Sequence, residues 1–185
     1  MLTHAALVDW AGAEHVVRAD PDTVAPWLLP DEQKALLVEV GVPAAHDLIE
    51  RAALQSGAAP QLATTDGRRL YQLTANHHGH PASDVLWAFG VEPITGTVYY
   101  VLPGGEAWFA NSSIERWLAC LHHYGLNLAR SRVLELGDGW EEQEAGSAIA
   151  YFHRLAAEVR EIDPAAFAGS SSHLIWPEVL ELWYW

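Results

Sequence analysis

The residues in this chain best suited to chemistry are histidines. His77-His78-Gly79-His80 puts three imidazoles within four positions. Neutral imidazole is a good ligand for zinc or nickel. Adjacent histidines on one loop rarely close a tetrahedral shell, however. No thiolate assists them, and no HExxH pair occurs in the chain. The cluster is read as a surface feature, and a small metal-dependent enzyme using His77, His78 and His80 stands as a competing reading. Cys120, His123 and His153 have the residue types of a nucleophile and its base. Nothing in the sequence brings them together, and Cys120 lies beside an apolar stripe, so packing is the expected role. Ser170-Ser171-Ser172-His173 carries hydrolytic residue types without an oxyanion element and reads as a linker. Neither a G-x-x-x-x-G-K or G-x-G-x-x-G phosphate loop nor a G-x-S-x-G elbow is present. The sequence therefore predicts no catalytic residue, no cofactor and no bound metal.

The acidic residues point elsewhere. Lys plus Arg number 10 and Asp plus Glu number 24, a net charge of −14. Such a surface repels phosphate backbones, which argues against direct nucleic-acid binding, and it attracts a basic partner. Acidity also serves solubility in a chain with 9 Trp. Asp138, Glu141, Glu142 and Glu144 surround Trp140. They read either as carboxylates at the positive end of a helix or as a docking patch with an aromatic anchor. Trp10, Trp27, Trp87 and Trp117 are expected in the core, and Trp108, Trp140, Trp183 and Trp185 at least partly exposed. On charge and expected exposure, the contact residues for a partner are Glu92, Glu106, Trp108, Asp138, Trp140, Glu141, Glu142 and Glu144.

The elements that must carry these residues follow from periodicity and turn chemistry. Ala6-Leu7-Val8 and His15-Val16-Val17-Arg18 read as short strands flanking Gly12. Asp31 is placed to cap a helix that ends at Val40 and Gly41, with Pro43 beyond. Residues 45–54 suit a second short helix. Asp66-Gly67 reads as a hairpin turn ahead of Arg69-Leu70-Tyr71-Gln72-Leu73. Residues 84–91 are apolar at nearly every position, as in a strand covered on both faces. Thr95-Gly96 and Pro103-Gly104-Gly105-Glu106 separate two further strands. Asn111-Ser112-Ser113 then stops the sheet, and Ser112 with Glu115 has capping-box spacing. Ile114, Trp117, Leu118 and Leu121 recur at helical spacing, and so do Ala145, Ala148, Ile149, Phe152, Leu155, Ala156 and Val159. Trp176, Val179, Leu180 and Trp183 form a last helical stripe, with Pro177 in its first turn. Strands in the middle and helices at the end predict an α+β fold. It has a central antiparallel-rich sheet with helices packed mainly on one side, in a single domain over residues 1–185.

Several of these segments resemble the SUKH superfamily, specifically the SUKH-4 type of bacterial immunity protein. The strand pair around Phe89-Gly90-Val91 and Thr95-Gly96-Thr97-Val98-Tyr99 is one. Phe109-Ala110-Asn111-Ser112-Ser113-Ile114-Glu115 is similar to that family's helix entry. Asp163-Pro164-Ala165-Ala166-Phe167 followed by Trp176-Pro177-Glu178-Val179-Leu180 is a third, and Val38-Glu39-Val40-Gly41-Val42-Pro43 resembles an upstream element. The resemblance favours irregular or strand structure over 45–54. It implies a protein that neutralises a toxin domain, commonly one attacking nucleic acid, by tight binding. A deaminase and a nuclease are the two activities it suggests. It also implies that Gly96, Asn111, Ser112, Ser113 and Glu115 hold the scaffold as a turn glycine and a helix cap. A regulatory or scaffolding protein-binding module is the alternative. One cysteine, the lack of a secretion signal and the lack of an apolar run near the roughly 20 residues needed to span a bilayer predict a cytoplasmic protein.

Overall fold

The computed structural model describes residues 2–45, 48–76, 87–130, 142–168 and 173–181. The chain opens with helix α1 (His4–Ala11), strand β1 (Val16–Val17), the single turn α2 (Pro21–Val24), α3 (Asp31–Glu39) and β2 (Val42–Pro43). Strands β3 (Arg51–Ala52), β4 (Leu62–Ala63), β5 (Arg69–Gln72) and β6 (Thr74–Ala75) follow. Next comes a meander of β7 (Ala88–Val91), β8 (Val98–Val101) and β9 (Ala107–Asn111). Helices α4 (Ile114–Arg130), α5 (Glu142–Ile162) and α6 (Ile175–Glu181) follow among the described residues. The main sheet has five strands in the order β4-β5-β7-β8-β9, every neighbouring pair antiparallel. β1 pairs with β2, and β3 with β6, as separate ribbons. This is the expected α+β architecture.

The continuous apolar run at β7 has a direct cause. All its residues are buried, and alternate side chains leave the strand on opposite faces. Phe89 and Val91 join Val98 and Tyr100 in the core shared with the helices. Gly90 lies on the other face, where a Cβ would come within 2.9 Å of the Leu70 Cβ. The helical stripes supply the other wall. Ile114, Trp117, Leu118 and Leu121 of α4 are fully buried, as are Phe152, Leu155 and Val159 of α5 and Trp176 and Leu180 of α6. The Phe89 and Trp117 ring centroids lie 5.3 Å apart, and those of Tyr124 and Trp176 5.9 Å. Each such side chain contributes roughly 1.5–3 kcal/mol through removal from water. Trp27 and Trp117 are core residues as expected, whereas Trp10 and Trp87 are only partly buried.

Local structure departs from the sequence reading in four places. Ala6-Leu7-Val8 is helical, because the Thr3 hydroxyl accepts the Ala6 N–H at 3.2 Å and starts α1, which Gly12 ends. Asp31 is the first residue of α3 and not its cap; Pro30 occupies that position without a side-chain hydrogen bond. The Asp31 carboxylate still sits at the favourable end of the helix dipole. Residues 45–54 hold no α-helix among those described. Ala45 and Ile49 form an antiparallel bridge, and Arg51–Ala52 pairs with β6. The cause is Asn76, fully buried, whose amide donates to the Leu48 carbonyl at 2.6 Å and accepts the Glu50 N–H at 3.1 Å. Those backbone groups are satisfied without a helical ladder. Finally, the helix cap falls one residue later than expected: Ser113 precedes α4, and its hydroxyl accepts the Arg116 N–H at 3.2 Å.

The β7–β8 turn depends on glycine for two reasons. Gly96 has φ 72°, and a Cβ there would overlap the side-chain amide of Gln33. That amide accepts the Ile114 N–H at 3.0 Å and donates to the Thr95 carbonyl at 3.5 Å, so it ties α3 to the turn and to the start of α4. Gly67 in the β4–β5 turn has φ 89°, but a Cβ added to it would meet nothing within 4 Å. The left-handed backbone alone costs roughly 1–2 kcal/mol for an alanine. In urea denaturation, Gly67→Ala should lose about that amount and Gly96→Ala clearly more, with the Gln33 contact responsible for the difference.

Candidate functional site

Several motif residues converge on one buried carboxylate. Asn111 ends β9, Ser112 and Ser113 lead into α4, and Asp163 follows α5. The Asp163 side chain has no exposed surface. One carboxylate oxygen accepts the Asn111 amide N–H at 3.0 Å and the Ser112 backbone N–H at 2.8 Å. The other accepts the Ser112 hydroxyl at 3.1 Å and an Arg116 guanidinium N–H at 3.2 Å. The Asn111 side-chain amide oxygen in turn accepts the Trp176 indole N–H at 2.9 Å. A buried carboxylate is tolerable only when its oxygens are supplied with donors in this way. Asn111 and Ser112 of the helix entry, with Asp163 and Trp176 of the tail, therefore form one polar knot joining β9, α4, α6 and the end of α5. Asp163 and Gln33 are the residues whose roles the sequence did not disclose. Both are polar types with no local pattern that marks burial.

Cys120 borders this knot. Its sulfur lies 3.4 Å from the Asn111 amide nitrogen, and burial pushes the thiol up to about 12, a shift the Asn111 hydrogen bond partly opposes. A thiol held neutral in this way is no nucleophile. His123 is taken up by Glu158 at 2.8 Å, and His153 is exposed on α5. The three groups do not assemble into a catalytic unit.

The expected contact residues are distributed more widely. Glu106 and Trp108 are brought together: the Trp108 indole N–H donates to Glu106 at 3.0 Å. His173 completes the group, 2.9 Å from the same carboxylate oxygen, with its ring edge-on to Trp108 at 6.2 Å. Glu106 and His173 are about half exposed at this sheet edge. Glu92 lies in the β7–β8 turn, where it accepts the Thr95 hydroxyl at 2.7 Å and faces Arg68 at 3.8 Å. Glu142 and Glu144 fall at the start of α5. Glu115 is exposed in the first turn of α4 and does not pair with Ser112 as a box. Asp138, Trp140, Glu141, His77, His78, His80, Ser170, Ser171, Ser172, Trp183 and Trp185 lie outside the described residues. Among the described residues no His, Cys, Asp and Glu group is arranged to hold a metal ion, and no helix is long and apolar enough to cross a membrane.

An antiparallel sheet walled by helices and locked by its Asn-Ser-Ser helix entry has the make-up of the SUKH superfamily. The SUKH-4 immunity protein family model matches residues 2–182, so the chain belongs to that family. Neither a curated protein nor a solved structure matches it. Membership implies a cognate toxin as partner, in a family that is generally non-enzymatic.

Removing the carboxylate at the centre of the knot strands several buried donors. Asp163→Ala should cost about 3 kcal/mol in urea denaturation, whereas Arg116→Ala, at a half-exposed partner, should cost less than about 1 kcal/mol. Alkaline pH provides a second check. Burial also raises the Tyr100 phenol to about 12, opposed by its Asn76 hydrogen bond. Both groups are held protonated by the fold, so their contribution is complete below pH 9, the ordinary value of the thiol, and is lost as pH rises toward 12. Unfolding midpoints should fall across that window, and iodoacetamide at about pH 8 should label Cys120 only in the unfolded chain.

Proposed function

We propose that residues 1–185 act as one SUKH-like unit that binds a cognate toxin domain and neutralises it stoichiometrically in the cytoplasm. The family match over residues 2–182 carries this reading, and the net charge of −14 gives it chemistry. An acidic surface attracts a basic partner and accelerates encounter. The family resemblance suggests a nucleic-acid deaminase or a nuclease as the toxin, and the basic clefts of such enzymes suit an acidic partner. Carboxylates of this chain take the place of substrate phosphates and block the active site or an adjacent exosite. No catalytic step of its own is involved.

The docking residues proposed are Glu92, Glu106, Trp108, Asp138, Trp140, Glu141, Glu142 and Glu144. Glu106 and Trp108 are the best supported of these. The indole is held by the carboxylate and by the neighbouring His173, so the aromatic anchor is oriented before contact. Pre-ordered aromatic side chains lose little entropy on binding.

Titration of the purified neighbouring-gene product with this chain tests the reading. Toxin activity should fall linearly to zero near one equivalent. Trp108→Ala should weaken binding by roughly 30-fold, as for an interface hot spot. Glu106→Gln should mainly slow association and flatten its dependence on salt. Full toxin activity in the presence of excess chain, with no complex in gel filtration, would refute the proposal.

A further inference from the structure

Two exposed aliphatic side chains have no folding reason to be where they are. Ile94 is 75% exposed and Leu28 63%, the highest values among the exposed large hydrophobic residues described. They belong to distant segments, yet the Ile94 N–H donates to the Leu28 carbonyl at 2.5 Å, which sets the two residues together. Ile94 also has φ 71°. A β-branched residue is strained there, because its Cβ crowds the neighbouring carbonyl. Glycine or asparagine would fit better. The isoleucine thus opposes the backbone conformation and buries little surface within the fold. A strained, exposed side chain of this kind is a recognised mark of a contact site.

The pair is held rigidly. The Leu28 N–H donates to the Tyr71 hydroxyl at 3.0 Å, and Tyr71 stacks on Trp27 with ring centroids 4.6 Å apart. On the other side, the Gln33 amide grips Thr95, and the Gly96 N–H donates to the Glu92 carbonyl at 3.0 Å. Carboxylates flank the pair. Asp31 and Glu32 are exposed at the start of α3, just after Leu28-Leu29-Pro30, and Glu92 lies in the same turn as Ile94. The nearby cations are already engaged: Lys34 lies 3.6 Å from Asp31, and Arg68 pairs with Asp66 and faces Glu92.

We propose that Leu28 and Ile94 form a preorganised aliphatic knob that inserts into an apolar pocket of the toxin, and that the pocket rim carries Lys or Arg facing Asp31, Glu32 and Glu92. This rests on the toxin-binding reading above and adds a docking face to it. A second copy of this chain is a poor occupant, since it would set acidic rim against acidic rim. Rigid presentation limits the ordering cost on association.

Ile94→Gly and Leu28→Ser variants of the 185-residue chain test this by calorimetric titration against the purified neighbouring-gene product, with thermal melts and sedimentation of each chain alone. Ile94→Gly should melt no lower than the parent by more than a degree or two and bind at least tenfold more weakly. Leu28→Ser should bind at least tenfold more weakly too, and Asp31→Asn with Glu32→Gln should reduce the salt dependence of binding. Parent-like affinity in both aliphatic variants, with the parent binding tightly, overturns the knob and leaves the toxin reading intact. A parent chain that does not bind at all overturns both. Concentration-dependent dimers of the parent, abolished by Ile94→Gly, would show a second copy as the occupant and also overturn the assignment.

Discussion

Asp163 places a carboxylate where water does not reach, and that constraint organises the elements around it. Its oxygens need donors, and the donors come from the last residue of β9, the linker into α4 and the first turn of α4. Asn111 passes the connection on to Trp176 of α6. Apolar burial pulls the helices toward the sheet without specifying their register. The knot does specify it, because a helix shifted by one residue would leave buried donors and a carboxylate unmatched, a cost of several kcal/mol. Gln33 does the same at the first residue of α4, joining the helix start to α3 and to the Gly96 turn.

This arrangement separates two kinds of residue. Asn111, Ser112 and Asp163 turn inward and hold the helices on the sheet, and Arg116 meets Asp163 from the surface. The residues proposed to meet a partner stand on turns and edges next to this frame. Glu106 and Trp108 occupy the β9 edge, and Leu28 and Ile94 occupy joined loops near the start of α4. A chain built this way can present a firm surface to a cognate toxin, the partner its family implies. That agrees with membership of an immunity protein family.

Much of the architecture is legible in residue types. The meander follows from Asp66-Gly67, Gly96 and Gly104-Gly105 between apolar runs, and the α4 stripe from Ile114, Trp117, Leu118 and Leu121. Residue patterns mislead where side chains compete with the backbone. Thr3 starts a helix in a segment whose Ala-Leu-Val run suits a strand, and Asn76 takes the Leu48 carbonyl and the Glu50 N–H out of an α-helical ladder. Ser112 and Ser113 exchange roles because the Asp163 carboxylate, distant in sequence, claims the first hydroxyl. Long-range polar partners leave no periodic trace. For the same reason nothing in the sequence marks Leu28 and Ile94: their exposure, their contact and the strain at Ile94 arise only from the three-dimensional path.

Hydrogen exchange followed by mass spectrometry, on the chain alone and with its toxin, tests the division between frame and docking surface most directly. Amides from Asn111 to Leu121 should exchange slowly in both states. New protection on binding should fall on residues 25–32, 92–97 and 105–109. Rapid exchange at residues 111–121 in the free chain, or protection confined to surfaces away from those three segments, would contradict this division.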